Sequence, residues 1–205
     1  MLVAPIPASL DEESIRGARL FSNRTASLSA WPRKAKVAEL GVAVGSFTKQ
    51  VLDHADPVLY DAYDTFRLHQ IPVIWNRQSS ELLNNMEHQE FYEDKFSNQI
   101  AAGILRTFKG DSSTELAKRD PETYDVIYID GDHSYDGVKK DLVASLKTLK
   151  FDGMLVFNDY VLYDKTGNMY GVMPVVHDIC LNHGWRVYYL SLQREMFCDI
   201  ALVRR

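Results

Sequence analysis

Residues 37 to 51, VAELGVAVGSFTKQV, decide how the chain is read. Val37, Ala38 and Leu40 flank Glu39 in a short apolar strand. Gly41 and Gly45 punctuate a turn, and Ser46, Phe47, Val51 and Leu52 begin a helical spacing. A strand that passes through a glycine turn into a helix N-terminus builds a crevice at the strand's carboxyl end, where nucleotide-like ligands bind in α/β sheets. Gly41 then lets the backbone turn sharply, and Gly45 lets a ligand approach without meeting a Cβ. A tight strand–helix turn with no ligand carries the same letters, and this spacing alone leaves both readings open.

Downstream, Asp56-Pro57 marks a turn, and Val58 to Tyr63 form a second strand ending at Asp64, nineteen residues beyond Gly45. An acid at the end of the second strand of a βαβ unit is placed to bind a ribose diol. Asp61 competes for that role from the opposite face. Residues 65 to 78 read as an irregular connection. Ser79 and Ser80 offer N-caps, and Leu82, Met86, Phe96 and Ile100 predict one long amphipathic helix over about 80 to 101. Ile104 to Phe108 is a third strand, followed by Asp111-Ser112, where Asp111 either caps a short helix or faces an adenine. Tyr124 to Ile129 is a near-continuous apolar run of the kind buried on both faces of a parallel sheet. It stops at Asp130-Gly131-Asp132-His133. The next helix places Val138, Leu142, Leu146 and Leu149 inside and Lys139, Lys140, Asp141 and Lys147 outside. Met154 to Phe157 ends at Asn158-Asp159. A helix over 172 to 183 and an antiparallel hairpin, Trp185 to Leu192 and Met196 to Val203, close the pattern. Upstream, Ser9-Leu10-Asp11-Glu12 has capping-box spacing, which predicts a helix burying Leu10, Ile15, Ala18 and Phe21.

The alternation βαβαβαβαβαββ gives an α/β sandwich with a mostly parallel sheet. The 205 residues suit one catalytic or binding domain, residues 36–205, preceded by an N-terminal helical segment or lid at 1–35 and carrying a helical insertion at about 65–101. A net charge of -5 argues against a nucleic-acid partner. No apolar run is long enough to span a bilayer, and the first residues, broken by Pro5 and Pro7, do not read as a signal peptide. Cys180 and Cys198 form no C-x-x-C pair, so a reducing, cytoplasmic setting is expected.

Glu39, Asp64, Asp111, Asp130, Asp132, His133, Asn158 and Asp159 all fall just past strand ends, along one edge of such a sheet. Carboxylates gathered there repel one another unless a metal ion, a sulfonium ligand or a protein cation sits among them. His133 ionises near neutrality and is the natural general base where no metal acts.

These stretches resemble a known family. ELGVAVG is similar to the E-x-G-x-x-x-G motif of class I S-adenosylmethionine-dependent methyltransferases. YDVIYIDGDHSYDGVKKDL and FDGMLVFNDY resemble the small O-methyltransferase-like subfamily called methyltransferase type 24. The resemblance covers about residues 36 to 203. It implies a Rossmann-like methyltransferase sandwich with a mostly parallel seven-stranded sheet and one antiparallel strand near the C-terminus. It further implies that Glu39, Gly41, Gly45 and Ser46 hold the methionine end of S-adenosylmethionine. Asp64 would bind the ribose, Asp111 and Ser112 the adenine, and Asp130 would lie under the sulfonium. Related metal-dependent enzymes bind Mg²⁺ at the positions of Asp130, Asn158 and Asp159; with His133 as the base where no metal acts, Asp130, His133 and Asp159 are the catalytic candidates. The expected activity is O-methylation of a small-molecule hydroxyl, sugar or phenolic, with homo-oligomerisation left open. Two rivals stand beside it. A nicotinamide-dependent oxidoreductase is disfavoured by the missing third glycine, and a non-catalytic nucleotide-binding module would keep the crevice without turnover.

Overall fold

In the computed structural model, which describes residues 4–205, the apolar run Tyr124–Ile129 lies inside an eight-stranded sheet. In chain order the strands are β1 (Arg19–Phe21), β2 (Lys36–Leu40), β3 (Leu59–Asp64), β4 (Leu105–Lys109), β5 (Tyr124–Ile129), β6 (Leu149–Phe157), β7 (Trp185–Ser191) and β8 (Asp199–Arg204). Side by side they run β1-β7-β8-β6-β5-β2-β3-β4. β2 pairs in parallel with β3 on one side and β5 on the other, and β8 runs antiparallel to both β6 and β7. The chain moves outward from β2 to β4 and then returns to β5, so the winding reverses beside β2. That reversal leaves a crevice past the carboxyl ends of β2 and β5.

Alternation along the strands builds two cores. Ala38, Ile127, Ile129 and Leu155 face Val138 and Leu142 of the Tyr135–Thr148 helix and Val175, Val176 and Ile179 of the Val172–Asn182 helix. Val37, Val126, Tyr128 and Val156 face Phe47 and Val51 of the Ser46–His54 helix, together with Tyr92 and Phe96. Burying aliphatic or aromatic side chains of this size stabilises the fold by about 1.5–3 kcal/mol each.

Four expectations are corrected. The helix expected from the capping box is one turn, Glu12–Ile15. Asp11 caps it, accepting from the Ser14 N–H, and Gly17 at φ 75 turns the chain away. Arg19–Phe21 then pairs in parallel with β7, so the sheet has eight strands rather than seven, and Ile15 and Leu20 are exposed. The long helix expected over 80 to 101 is three short ones: Ser79–Leu82, His88–Lys95 and Ser97–Ala101. Asn84 and Asn85 at φ 52 and 60 break it, as residues that tolerate left-handed backbone can. A two-stranded ribbon, Val73–Ile74 with Arg77–Gln78, precedes them. Finally, β8 begins at Asp199, so the hairpin link is longer than the expected Gln193-Arg194-Glu195.

Candidate functional site

The turn after β2 is fixed by contacts at every side. Gly41 has φ 86, and a Cβ there would lie 2.2 Å from the Asp130 carbonyl oxygen, so only glycine lets the ends of β2 and β5 approach this closely. Gly45 has φ 69, and a Cβ there would lie 2.5 Å from the Phe96 ring. The space expected to admit a ligand at Gly45 is filled by Phe96.

A cavity of about 290 Å³ opens past these strand ends. Gly41, Asp64, Asp111, Ser112 and Asp130 line it, with Ala43, Leu68, Gly131 and Asp132 among their neighbours. Five of the residues expected at the cofactor therefore share one hollow. Asp64 Oδ2 accepts from the Val42 and Ala43 N–H groups at 2.9 and 3.3 Å, and its Oδ1 accepts from Phe66 N–H at 2.7 Å. The Thr65 hydroxyl also reaches Oδ1, at 3.4 Å, a long contact that a shorter hydroxyl donor can replace. Asp111 caps the Ser112–Leu116 helix through Thr114 N–H, and the Thr114 and Ser113 hydroxyls that also reach it hold its pKa below the ordinary value.

Glu39, Gly45 and Ser46 are not on this wall. Glu39 is buried, with Oε2 accepting from Thr48 at 2.6 Å and Tyr60 at 2.5 Å. Burial pushes its carboxyl up to about 8, against the pull of those hydroxyls. A larger hollow of about 640 Å³ lies between the Ser112–Leu116 and Tyr135–Thr148 helices, rimmed by Lys139, Lys140 and Lys147. It lacks the acids and glycines of the strand ends, so the chemistry is placed in the smaller cavity.

Beside Asp130 stands a second cluster. The buried His133 Nε2 lies 3.5 Å from Asp130 Oδ1 and 3.7 Å from Asp159 Oδ2, within hydrogen-bond length of neither. Tyr170 stacks on its ring at 4.9 Å. Burial opposes the imidazolium, but the two carboxylates outweigh it and raise the His133 pKa. Burial, with Asp130 adding and His133 opposing, lifts Asp159 to about 6. Asp159 is itself held at φ 53, left-handed backbone that aims its side chain back toward His133.

Asp130, Asn158 and Asp159, the residues expected to hold Mg²⁺, do meet here. However, the imidazole stands between the two carboxylates, and Asn158 donates its amide to Asp199 Oδ1 at 3.0 Å. Among the described residues no group of three or more His, Cys, Asp or Glu is arranged to hold a metal ion. As it stands, this donor set does not fit a resident cation.

Several residues that sequence reasoning did not single out complete the site. Arg24 makes a two-pronged ion pair with the buried Asp199, at 2.8 and 3.0 Å, and its guanidinium lies 5.1 Å from the centre of the Phe47 ring. Asp141, placed on the outer helix face by its charge, is buried. It accepts from the Ser112 hydroxyl at 2.7 Å, and burial lifts its carboxyl to about 6. His88 is buried against the turn after β2. For Arg24 and Asp199, 175 positions apart, no local pattern could have found the pair. For Asp141 the signal was present in the helix period.

Residues 38–160 match a family described as methyltransferase domain. No curated protein matches the chain in sequence. Among solved structures, the pyocyanin biosynthetic protein PhzM superposes with a TM-score of 0.55 at 14% identity, over 84% of this chain and 51% of that one. TrmN from Thermus thermophilus gives 0.58 at 10%, over 88% and 47%. A TehB-like SAM-dependent methyltransferase from Corynebacterium glutamicum gives 0.51 at 15%, over 88% and 87%. The chain spans about half the length of the first two, and at these identities the likeness shows the fold.

Proposed function

The chain belongs to the methyltransferase-domain family, with the class I fold, and from that premise we propose that it methylates a hydroxyl oxygen of a small molecule using S-adenosylmethionine. One observation carries the reading: Gly41, Asp64, Asp111 and Asp130 border a single hollow at the point where the sheet reverses its winding. When bound there, S-adenosylmethionine supplies a methyl group activated on a positively charged sulfur. Asp64 accepts hydrogen bonds from the ribose hydroxyls, Asp111 and Ser112 border the adenine, and Asp130 offsets the positive charge. The hollow needs no phosphate-binding glycine pattern, since this ligand carries no phosphate.

His133 takes the acceptor hydroxyl's proton on Nε2, the atom that has no partner in the resting site. Asp130 and Asp159 stabilise the imidazolium that results. The oxygen lone pair so freed would receive the methyl group that bound S-adenosylmethionine supplies, the carbon–sulfur bond giving way and the proton staying on His133. No step is assigned to Mg²⁺, because the imidazole occupies the gap between the carboxylates. A small acceptor, rather than a nucleic acid, suits the net charge of -5, and two free cysteines suit the cytoplasm.

Calorimetry with S-adenosylhomocysteine tests the first clause: binding is expected, and none at millimolar ligand ends the reading. The second clause is tested with His133→Gln over a panel of phenols and sugars. The variant is expected to lose roughly 10²–10⁴-fold in kcat while its S-adenosylhomocysteine affinity stays near wild type. A rate unchanged by His133→Gln, or one abolished in wild type by a chelator, would remove the imidazole from the chemistry.

A further inference from the structure

The insertion between β3 and β4 reaches back to the cavity through one side chain. His88 opens the His88–Lys95 helix and is fully buried. Its Nε2 lies 2.6 Å from the Ala43 carbonyl oxygen, and its Nδ1 lies 3.4 Å from Leu68 N–H. Ala43 belongs to the turn after β2 and Leu68 to the segment after β3, and both line the cavity. One neutral tautomer satisfies both contacts, with Nε2 donating to Ala43 and Nδ1 accepting from Leu68. Ala43 is held at φ 44, left-handed backbone that a non-glycine residue keeps only when its surroundings impose it. Asp64 fixes the N–H of that residue and His88 its carbonyl. Farther along, Lys95 donates to the Val44 carbonyl at 2.6 Å and Tyr92 meets Thr48 at 2.9 Å. Those contacts bind Val44 and the Ser46–His54 helix to the His88–Lys95 helix, whereas His88 joins the turn after β2 to Leu68.

We propose that His88 is a positioning residue that holds Ala43 and Leu68 at the spacing the cofactor needs, and that a proton on Nδ1 undoes the hold. This rests on the cofactor reading above. An imidazolium would turn a second N–H toward the Leu68 N–H, and two donors cannot pair. Burial holds the His88 pKa below the ordinary histidine value, against the Ala43 carbonyl and Asp64 and with help from His69 and Lys109. His69 Nδ1 also accepts from the His88 backbone N–H at 3.2 Å. The uncharged Phe66 ring packs on His88 at 5.1 Å between centroids, and Tyr92 packs in turn on Phe66. A histidine held neutral in this way favours the closed walls at and above its ordinary pKa, and that support is lost as pH falls below it.

The test compares wild type, His88→Phe and His88→Gln by backbone hydrogen exchange and by calorimetry with S-adenosylhomocysteine. His88→Phe keeps a ring without either hydrogen bond, whereas the amide of His88→Gln reaches Ala43 and cannot ionise. Expected is faster exchange at residues 41–46 and 66–70 in His88→Phe and near-wild-type exchange in His88→Gln. S-adenosylhomocysteine affinity should fall roughly tenfold in His88→Phe and recover most of that in His88→Gln. On the acid side, wild-type affinity should drop and His88→Gln should stay level. Histidine NMR of wild type should show the Nε2–H tautomer. Exchange unchanged in His88→Phe, the opposite tautomer, or the same acid drop in His88→Gln would each overturn the proposal. Should wild type bind no S-adenosylhomocysteine, the cofactor reading fails, while exchange and tautomer still decide whether His88 joins the walls.

Discussion

The Ser112 hydroxyl donates to Asp141 at 2.7 Å, and Gly131 packs against both: a Cβ on Gly131 would lie 3.2 Å from Asp141 Oδ2 and 3.7 Å from Ser112 Oγ. Ser112 follows β4 and Gly131 follows β5, so one buried acid holds the first loop and packs beside the second on that side of the cavity. Asp141→Leu, which strands the Ser112 hydroxyl, is expected to cost about 1–3 kcal/mol in S-adenosylhomocysteine binding, and Asp141→Asn, which keeps an acceptor, less. A double-mutant cycle with Ser112→Ala, read by calorimetry, should be non-additive; strict additivity would show that the two do not act together.

Glu39 gives a pH prediction with a definite sign. Burial lifts its carboxyl from 4.5 to about 8, so the folded chain holds a proton that the unfolded chain releases. That contribution to stability is full below the unfolded value and is lost as pH rises through about 8. Glu39→Gln does not ionise and can still accept from Thr48 and Tyr60. Urea midpoints from about pH 5 to about pH 9 should move steadily in the variant's favour. A constant gap would mean that Glu39 is ionised throughout.

Arg24 and Asp199 should matter to stability more than their distance in the chain suggests. Asp199 is 1% exposed, so Arg24→Met leaves a buried carboxylate without its cation. The expected loss is about 3–5 kcal/mol by denaturant unfolding, softened by the partial exposure of Arg24 itself. Adding Asp199→Asn should restore part of it, because the uncompensated charge goes. A loss below about 1 kcal/mol would place the pair with ordinary surface ion pairs.

Two glycines separate strain from collision. Gly103, at φ 71, has nothing within 4 Å of a built Cβ, so Gly103→Ala should cost about 1 kcal/mol of backbone strain. Gly41→Ala adds the 2.2 Å clash with the Asp130 carbonyl and should cost several times as much, or prevent folding, in thermal unfolding of the two variants side by side. Equal costs would mean that the turn after β2 can move away from β5.

What the sequence disclosed follows from which signals are local. β2, β3, β5 and the acids at their ends were legible because a buried parallel strand is a short apolar run and its carboxyl end is where polarity resumes. β1 was not, since three residues at a sheet edge, one of them an exposed Leu20, carry no alternation to read. The Tyr135–Thr148 helix shows a subtler miss. The pattern put Val138, Leu142, Leu146 and Leu149 inside and Asp141 outside. The buried set is Val138, Asp141, Leu142, Ala144, Ser145 and Thr148, a stripe at the 3.6-residue period, and Leu146 is exposed. Held to that period, the pattern would have drawn Asp141 inward despite its charge. The pairing of His88 with Ala43 could not be read at all, because it depends on how the insertion folds back.

The position of β8 has a consequence for how the molecule is made. Of the eight strands described, the last in chain order lies between β6 and β7, and it alone joins β7, with β1 beyond it, to the rest of the sheet. Until residues 199–204 emerge, that flank has no neighbour to zip against, and Arg24 waits without Asp199. A nascent chain stalled before Asp199 would expose two bare strand edges, so this flank is where chaperone capture during synthesis should concentrate.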